Sequence, residues 1–153
     1  MRIEAYLRQS PLFAIRRTSR QFDTYLGSVL PHRDLSFLEA LVLVSIFFED
    51  PKPVKPSELA ETLMVTRGNV SHCISTLEAK GMVRRRIDPD DARAIHLVLK
   101  PEGRAHAMRV IKTFDRLQKD FERQIGAAEL ESALSVIDQV ERLFAMRAGR
   151  AED

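Results

Sequence analysis

Val83-Arg84-Arg85-Arg86-Ile87-Asp88-Pro89-Asp90-Asp91-Ala92-Arg93-Ala94-Ile95-His96-Leu97-Val98-Leu99 decides the fold of this chain. On both sides of Asp88-Pro89-Asp90-Asp91, apolar or β-branched side chains recur at alternate positions, the period of a β-ribbon. Pro89 within an acidic cluster is turn chemistry, because the ring presets φ and the neighbouring carboxylates can bond their own backbone. The stretch reads as two short strands joined by a polar loop, with three arginines on the first strand.

What precedes the hairpin gives it meaning. Residues 67–80 read as a helix, with Thr66 placed to cap its first turn and Gly81 ending it as a left-handed cap. A shorter helix over residues 57–63 comes before, opened by Pro56 in the first turn, where a missing N–H costs nothing. Met64-Val65 makes the tight turn between them, and two helices so joined form a helix-turn-helix. In the second helix Val70, Cys73, Ile74 and Leu77 fall on one stripe and pack inward. Arg67, Asn69, Ser71, His72, Ser75 and Thr76 are left outside, a small, polar face without an acid until Glu78. An ordinary surface helix would mix Glu and Lys there; a face built to enter a major groove would look like this one. A helix-turn-helix followed at once by an arginine-bearing hairpin is a winged helix-turn-helix, so a regulator of transcription is the leading expectation.

Outward from that unit, Leu12, Ile15, Phe22, Leu26 and Val29 predict an amphipathic helix over about residues 10–30, ending before Pro31. Residues 36–49 predict a second helix, apolar nearly all round through Leu38, Leu41, Val42, Val44 and Phe48, hence central to the core. Residues 50–56 read as a proline-rich connector. After the hairpin, Ala107, Val110, Phe114, Leu117 and Phe121 mark a long helix to about residue 124. Gly126 breaks it, and Leu130, Leu134, Ile137, Val140 and Phe144 mark a last helix. The expected fold is mainly α with a small β-hairpin wing, a single domain over residues 1–153. Its DNA-binding region is 34–100, and 1–33 with 101–153 supply N- and C-terminal helices for dimerisation.

The chain has 153 residues, a hydrophobic fraction of 44% and a net charge of only +2, so its totals are those of an ordinary globular protein. The distribution says more. Residues 34–50 carry four acids and no base, whereas residues 66–86 carry five bases (Arg67, Lys80, Arg84, Arg85, Arg86) against Glu78 alone. That clustering is the footprint of a phosphate-facing surface. The lone Cys73 excludes an intramolecular disulfide framework and fits a reducing cytoplasm. No signal peptide is evident, and no apolar run is long enough to span a bilayer.

The order of elements and three motifs resemble the MarR family of bacterial transcriptional regulators, over nearly the whole chain. The motifs are Ser57-Glu58-Leu59-Ala60-Glu61-Thr62-Leu63, Leu77-Glu78-Ala79-Lys80-Gly81-Met82-Val83, and the wing, Arg85-Arg86-Ile87-Asp88-Pro89-Asp90-Asp91-Ala92-Arg93 with Lys100-Pro101-Glu102-Gly103-Arg104 behind it. The chain departs from the family pattern at Lys55, where a capping Thr or Ser is usual, at Arg84 and Lys100, and at Ala92 in place of an arginine. The resemblance implies a homodimeric repressor on double-stranded DNA, placing two recognition helices in successive major grooves about 34–36 Å apart on a pseudo-palindromic operator. Arg67, Asn69, Ser71 and His72, with Ser75 behind them, would face base edges; Thr66, Arg84, Arg85 and Arg86 would contact phosphates. Arg93 would enter the minor groove, braced by Asp91. A small aromatic or anionic effector is a further expected partner, with Arg16, Arg17 and Arg20 as candidate contacts beside Phe13 and Phe22; a plain basic face or an extra phosphate contact is an equal alternative.

Other chemistries find less support. The four histidines, His32, His72, His96 and His106, lack metal-ligand spacing, and Asp88, Asp90 and Asp91 are not continued as a calcium loop. No cofactor motif, phosphate loop or nucleophile–base pairing is present, so an enzyme is not expected. Cys73 on the inward stripe reads as a small buried hydrophobe in preference to a redox sensor. A winged helix serving as a protein-interaction module without specific DNA binding is the alternative function.

Overall fold

The computed structural model describes residues 2–30, 35–88 and 95–149. Its elements run α1 (Arg2–Gln9), α2 (Pro11–Val29), α3 (Phe37–Glu49), α4 (Pro56–Thr62), α5 (Arg67–Ala79), β1 (Val83–Ile87), β2 (Ile95–Leu99), α6 (Pro101–Ile125) and α7 (Ala127–Gly149). Backbone contacts group residues 1–113 and 114–153 into two units. Among the described residues no helix is long and apolar enough to cross a membrane.

In the first unit α3 is the central post. Ser36 starts it with a reciprocal cap: the Glu39 N–H donates to Ser36 Oγ (3.1 Å) and the Ser36 N–H donates to Glu39 Oε2 (2.9 Å). Lys80, at the end of α5, donates to the same Oε2 at 3.2 Å. Glu39 is buried, and a carboxylate tolerates burial only when its oxygens are occupied in this way. One side chain thus joins the start of α3 to the end of α5. At α4 the Lys55 side chain cannot accept a hydrogen bond, and Glu58 Oε2 instead takes the Lys55 N–H at 3.0 Å.

The turn between α4 and α5 is closed by the Val65 N–H on the Ala60 carbonyl (3.0 Å), with exposed Met64 in the left-handed region at φ 51°. The core below it joins Val42, Leu43 and Ile46 of α3, Leu59 of α4, Val70, Cys73, Ile74 and Leu77 of α5, and Val83 and Leu97 of the hairpin. The expected inward stripe of α5 is buried in full. Each such aliphatic side chain withdrawn from water contributes about 1.5–3 kcal/mol.

The hairpin pairs Val83 with Leu99, Arg84 with Val98, Arg85 with Leu97, Arg86 with His96 and Ile87 with Ile95. Behind it, the Leu97 N–H donates to the Val54 carbonyl at 2.9 Å. The proline-rich segment expected as a mere connector therefore supplies one bridging residue to the outer edge of β2. α6 begins hard against this sheet. The Lys100 N–H donates to the Met82 carbonyl (2.9 Å), and a Cβ at Gly103 would collide with that same carbonyl oxygen. Arg104 one residue on pairs with Asp50 and lies 5.4 Å from the ring centre of Phe47.

The helix expected over about residues 10–30 is α2, and a short α1 that the sequence reading did not include precedes it and buries none of its residues. One expectation needs correction. Phe48, expected inside, is 68% exposed, because α3 turns only part of its apolar circumference to the core. The stripe of α2 is buried at Leu26 but open at Leu12, Ile15 and Phe22. In the second unit, the end of α6 and α7 flank Gly126, and Leu134, Ile137 and Phe144 on the predicted stripe of α7 are exposed.

Candidate nucleic-acid interface

α5 offers the surface the sequence led us to expect. Thr66, Arg67, Asn69, Ser71, His72 and Ser75 are all exposed, over the buried Val70, Cys73, Ile74 and Leu77. Thr66 caps the helix, its Oγ1 accepting the Asn69 N–H at 3.2 Å, which leaves the hydroxyl proton to donate outward. At Gly68 a Cβ would approach only Thr66 Oγ1, at 3.8 Å, so this first turn is open above the backbone. Ser75 Oγ donates to the Ser71 carbonyl (3.0 Å) and Thr76 Oγ1 to the His72 carbonyl (3.1 Å). The outer face is therefore a row of hydrogen-bonding groups with one guanidinium, Arg67, at its N-terminal end.

The three arginines of β1 are not equivalent, because successive strand residues point to opposite faces. Arg84 and Arg86 share one face; Arg85 shares the other with buried Val83. Among the described residues neither Arg84 nor Arg86 has an ion-pair partner. Arg85 has two contacts on α5: Nη1 donates to Glu78 Oε2 at 2.7 Å and Nη2 to Ser75 Oγ at 3.1 Å. Its backbone N–H also donates to Glu78 Oε1, at 3.2 Å. The sequence presented Glu78 only as the one acid in a basic stretch, and gave no sign of this contact.

On the Arg86 face, half-buried Asp88 lies against buried His96, Oδ2 to Nε2 3.2 Å, at the root of the wing. These two line a cavity of about 430 Å³ with Arg86, Asp50, Lys52 and Pro53. Asp91 and Arg93, expected at the wing tip, lie outside the described residues. Cys73 is buried in the core, and desolvation, reinforced by the negative charge of Glu39, pushes its thiol above the ordinary value. Among the described residues no three metal-binding side chains converge.

Arg16, Arg17 and Arg20 come together. With Phe13, Tyr25 and Ser28 they line an open cavity of about 770 Å³ whose walls are all α2. None of the three has an ion-pair partner among the described residues, although like charges four apart, as at Arg16 and Arg20, cost an isolated helix about 0.2–0.5 kcal/mol. Phe22 is absent from this lining and packs edge-on against Phe37, centroids 6.2 Å apart.

Comparison with known proteins agrees with this geometry. The family model described as "MarR family" matches residues 35–95, the interval from the start of α3 to the first residue of β2. The HTH-type transcriptional regulator TtmR of Methylorubrum extorquens is 32% identical over 92 residues, 60% of this chain and 46% of that relative, so the chain spans about half its length. The crystal structure of the S. aureus MepR–DNA complex superposes with a TM-score of 0.79 at 17% identity, covering 88% of this chain and 96% of that one. Streptomyces coelicolor PcaV in complex with its natural ligand gives 0.75 at 20% identity, over 89% and 94%.

Proposed function

We propose that this chain is a member of the MarR family, whose model matches residues 35–95, and that it is a sequence-specific DNA-binding repressor acting as a homodimer on a pseudo-palindromic operator. One observation carries the reading: the outer face of α5 is exposed, polar and free of acid from Arg67 to Leu77, and it is fixed from behind by a buried stripe. Arg67 and Asn69 have the chemistry to pair with guanine and adenine edges, and a good bidentate pair discriminates by about 1–3 kcal/mol. Thr66, Arg84 and Arg86 offer a hydroxyl donor and two uncommitted guanidinium groups to the flanking phosphates. Ser71, His72 and Ser75 complete the face, and Arg93 with Asp91 would extend contact to the minor groove from the wing tip. That MepR has been crystallised with DNA on the same fold supports the assignment.

The exposed stripes of α1, α2 and α7 support the homodimer, since apolar surface of this extent calls for a partner. The grouping of Arg16, Arg17 and Arg20 beside Phe13 and Tyr25 supports an aromatic anion as effector, and PcaV with its bound natural ligand supports a ligand site on this fold. Such a ligand relieves repression only through higher affinity for the form that does not bind DNA.

The test is binding of the purified chain to the DNA flanking its own gene and to a random duplex, titrated over salt. The expected result is selective binding whose log affinity falls linearly with log salt, at a slope of about −0.9 per phosphate neutralised. Equal, weak binding to both duplexes would overturn the sequence-specific reading. Addition of benzoate and hydroxybenzoates to the complex then tests the effector, with release expected for the wild type and lost in Arg16→Ala/Arg20→Ala.

A further inference from the structure

We propose that Glu78 and Arg85 form a bracket that fixes the wing against the recognition helix, so that Arg85 is a positioning residue and not a phosphate contact. The inference rests on the DNA-binding reading and refines it. Both Glu78 carboxylate oxygens are committed to Arg85: Oε1 to the backbone N–H at 3.2 Å, Oε2 to Nη1 at 2.7 Å. Ser75 Oγ takes Nη2 at 3.1 Å, its own proton directed to the Ser71 carbonyl, so its lone pairs face the guanidinium.

The sheet explains why the backbone contact matters. Leu97, opposite Arg85, turns its N–H outward to Val54. Arg85 and Leu97 are therefore a non-hydrogen-bonded pair, and the Arg85 N–H points out of the hairpin at the open edge of β1. Glu78 closes that edge. A lone surface ion pair is worth little, but here one carboxylate holds main chain and side chain together, two turns of helix α5 away from the base-facing residues. The bracket also cancels the charge of Arg85, leaving Arg84 and Arg86 as the phosphate-facing cations of β1.

Full-length variants titrated over salt on operator and random duplexes separate the roles. Arg84→Gln and Arg86→Gln are expected to flatten the log–log salt slope, by about 0.9 for each phosphate no longer neutralised. Arg85→Gln is expected to keep the slope and to lose about tenfold more affinity for the operator than for random DNA. Glu78→Gln decides the matter by sign. Removal of an acid beside a polyanion would tighten binding through charge alone, whereas loss of the bracket weakens operator binding. The double variant is expected to be no worse than either single one, and Arg85→Lys to keep the slope without restoring selectivity. A flattened slope in Arg85→Gln together with tighter binding in Glu78→Gln would overturn the proposal. Amide exchange on the free protein judges the bracket without DNA: in Glu78→Gln the Arg85 amide should exchange about tenfold faster, and an unchanged rate would refute the bracket even if the wild type bound no duplex.

Discussion

The winged region and the flanking helices carry apolar stripes of the same kind, and only the first closes on itself. In α5 every residue of the stripe is buried, whereas on α7 Leu134, Ile137 and Phe144 stand exposed, as do Leu12, Ile15 and Phe22 on α2. The difference lies in what each stripe has within reach. α5 meets α3, α4 and the hairpin, all within some forty residues of chain, while the unit that holds α7 contains besides it only the end of α6. The stripes left exposed among the described residues are the surfaces that the proposed homodimer would cover.

Four substitutions or modifications would sharpen or break that contrast. The largest effect is expected for Gly103→Ala in the closed region, where the new Cβ meets the Met82 carbonyl and neither backbone can retreat. A loss of about 3 kcal/mol in urea unfolding is expected; a change within 0.5 kcal/mol, on the scale of an ordinary surface substitution, would show that α6 does not seat there. On the open stripe, Ile137→Glu should leave the unfolding of the winged region intact and weaken self-association about 30- to 100-fold. Light scattering across protein concentration reads this, and an unchanged oligomer would mean that α7 is not the interface.

A smaller effect of opposite sign is expected for Met64→Gly. Met64 is 82% exposed at φ 51°, so glycine relieves the backbone without removing burial, and a gain of about 0.5–1 kcal/mol should appear. The smallest concerns Cys73. Burial raises its thiol, so the folded chain keeps the proton longer than the unfolded one. Its contribution to stability is constant below the unfolded value of 9.0 and declines as pH rises above it. Alkylation by iodoacetamide at pH 7.5 should be slow until denaturant is added; fast reaction of the native protein would contradict the closed core.

Much of the winged region was legible because its signals are local. Thr66, Gly81, Pro56 and the period of the α5 stripe act within a turn or two, and the structure places each as the spacing implied. The missing pieces depend on contacts across the fold. Glu39 looked like one acid among four, yet it caps α3 and holds Lys80 forty-one residues away. Val54 sat among prolines that suggest a linker, and its pairing with Leu97 follows only once the hairpin is in place. Glu78 reaches Arg85 because Gly81, at φ 71°, turns the chain back on α5. On α1 the apolar residues Ile3, Tyr6 and Leu7 do stand at helical spacing, but eight residues are too short a run, and too mixed with charges, to have marked a helix. Of the candidate site, the α5 face and the α2 arginines are assembled as their spacing suggested, and the equivalence of the three wing-root arginines is not.

The central claim is that closed winged regions read DNA while the open helices set their spacing. An operator selected from a random pool, then lengthened by five base pairs between its half-sites, tests it most directly. Half a helical turn puts the second half-site on the opposite face of the duplex, and affinity is expected to fall by at least about tenfold, returning with a ten-base-pair insertion. Undiminished binding to the five-base-pair insertion would contradict the account, because the two recognition helices would not then be held at a fixed separation.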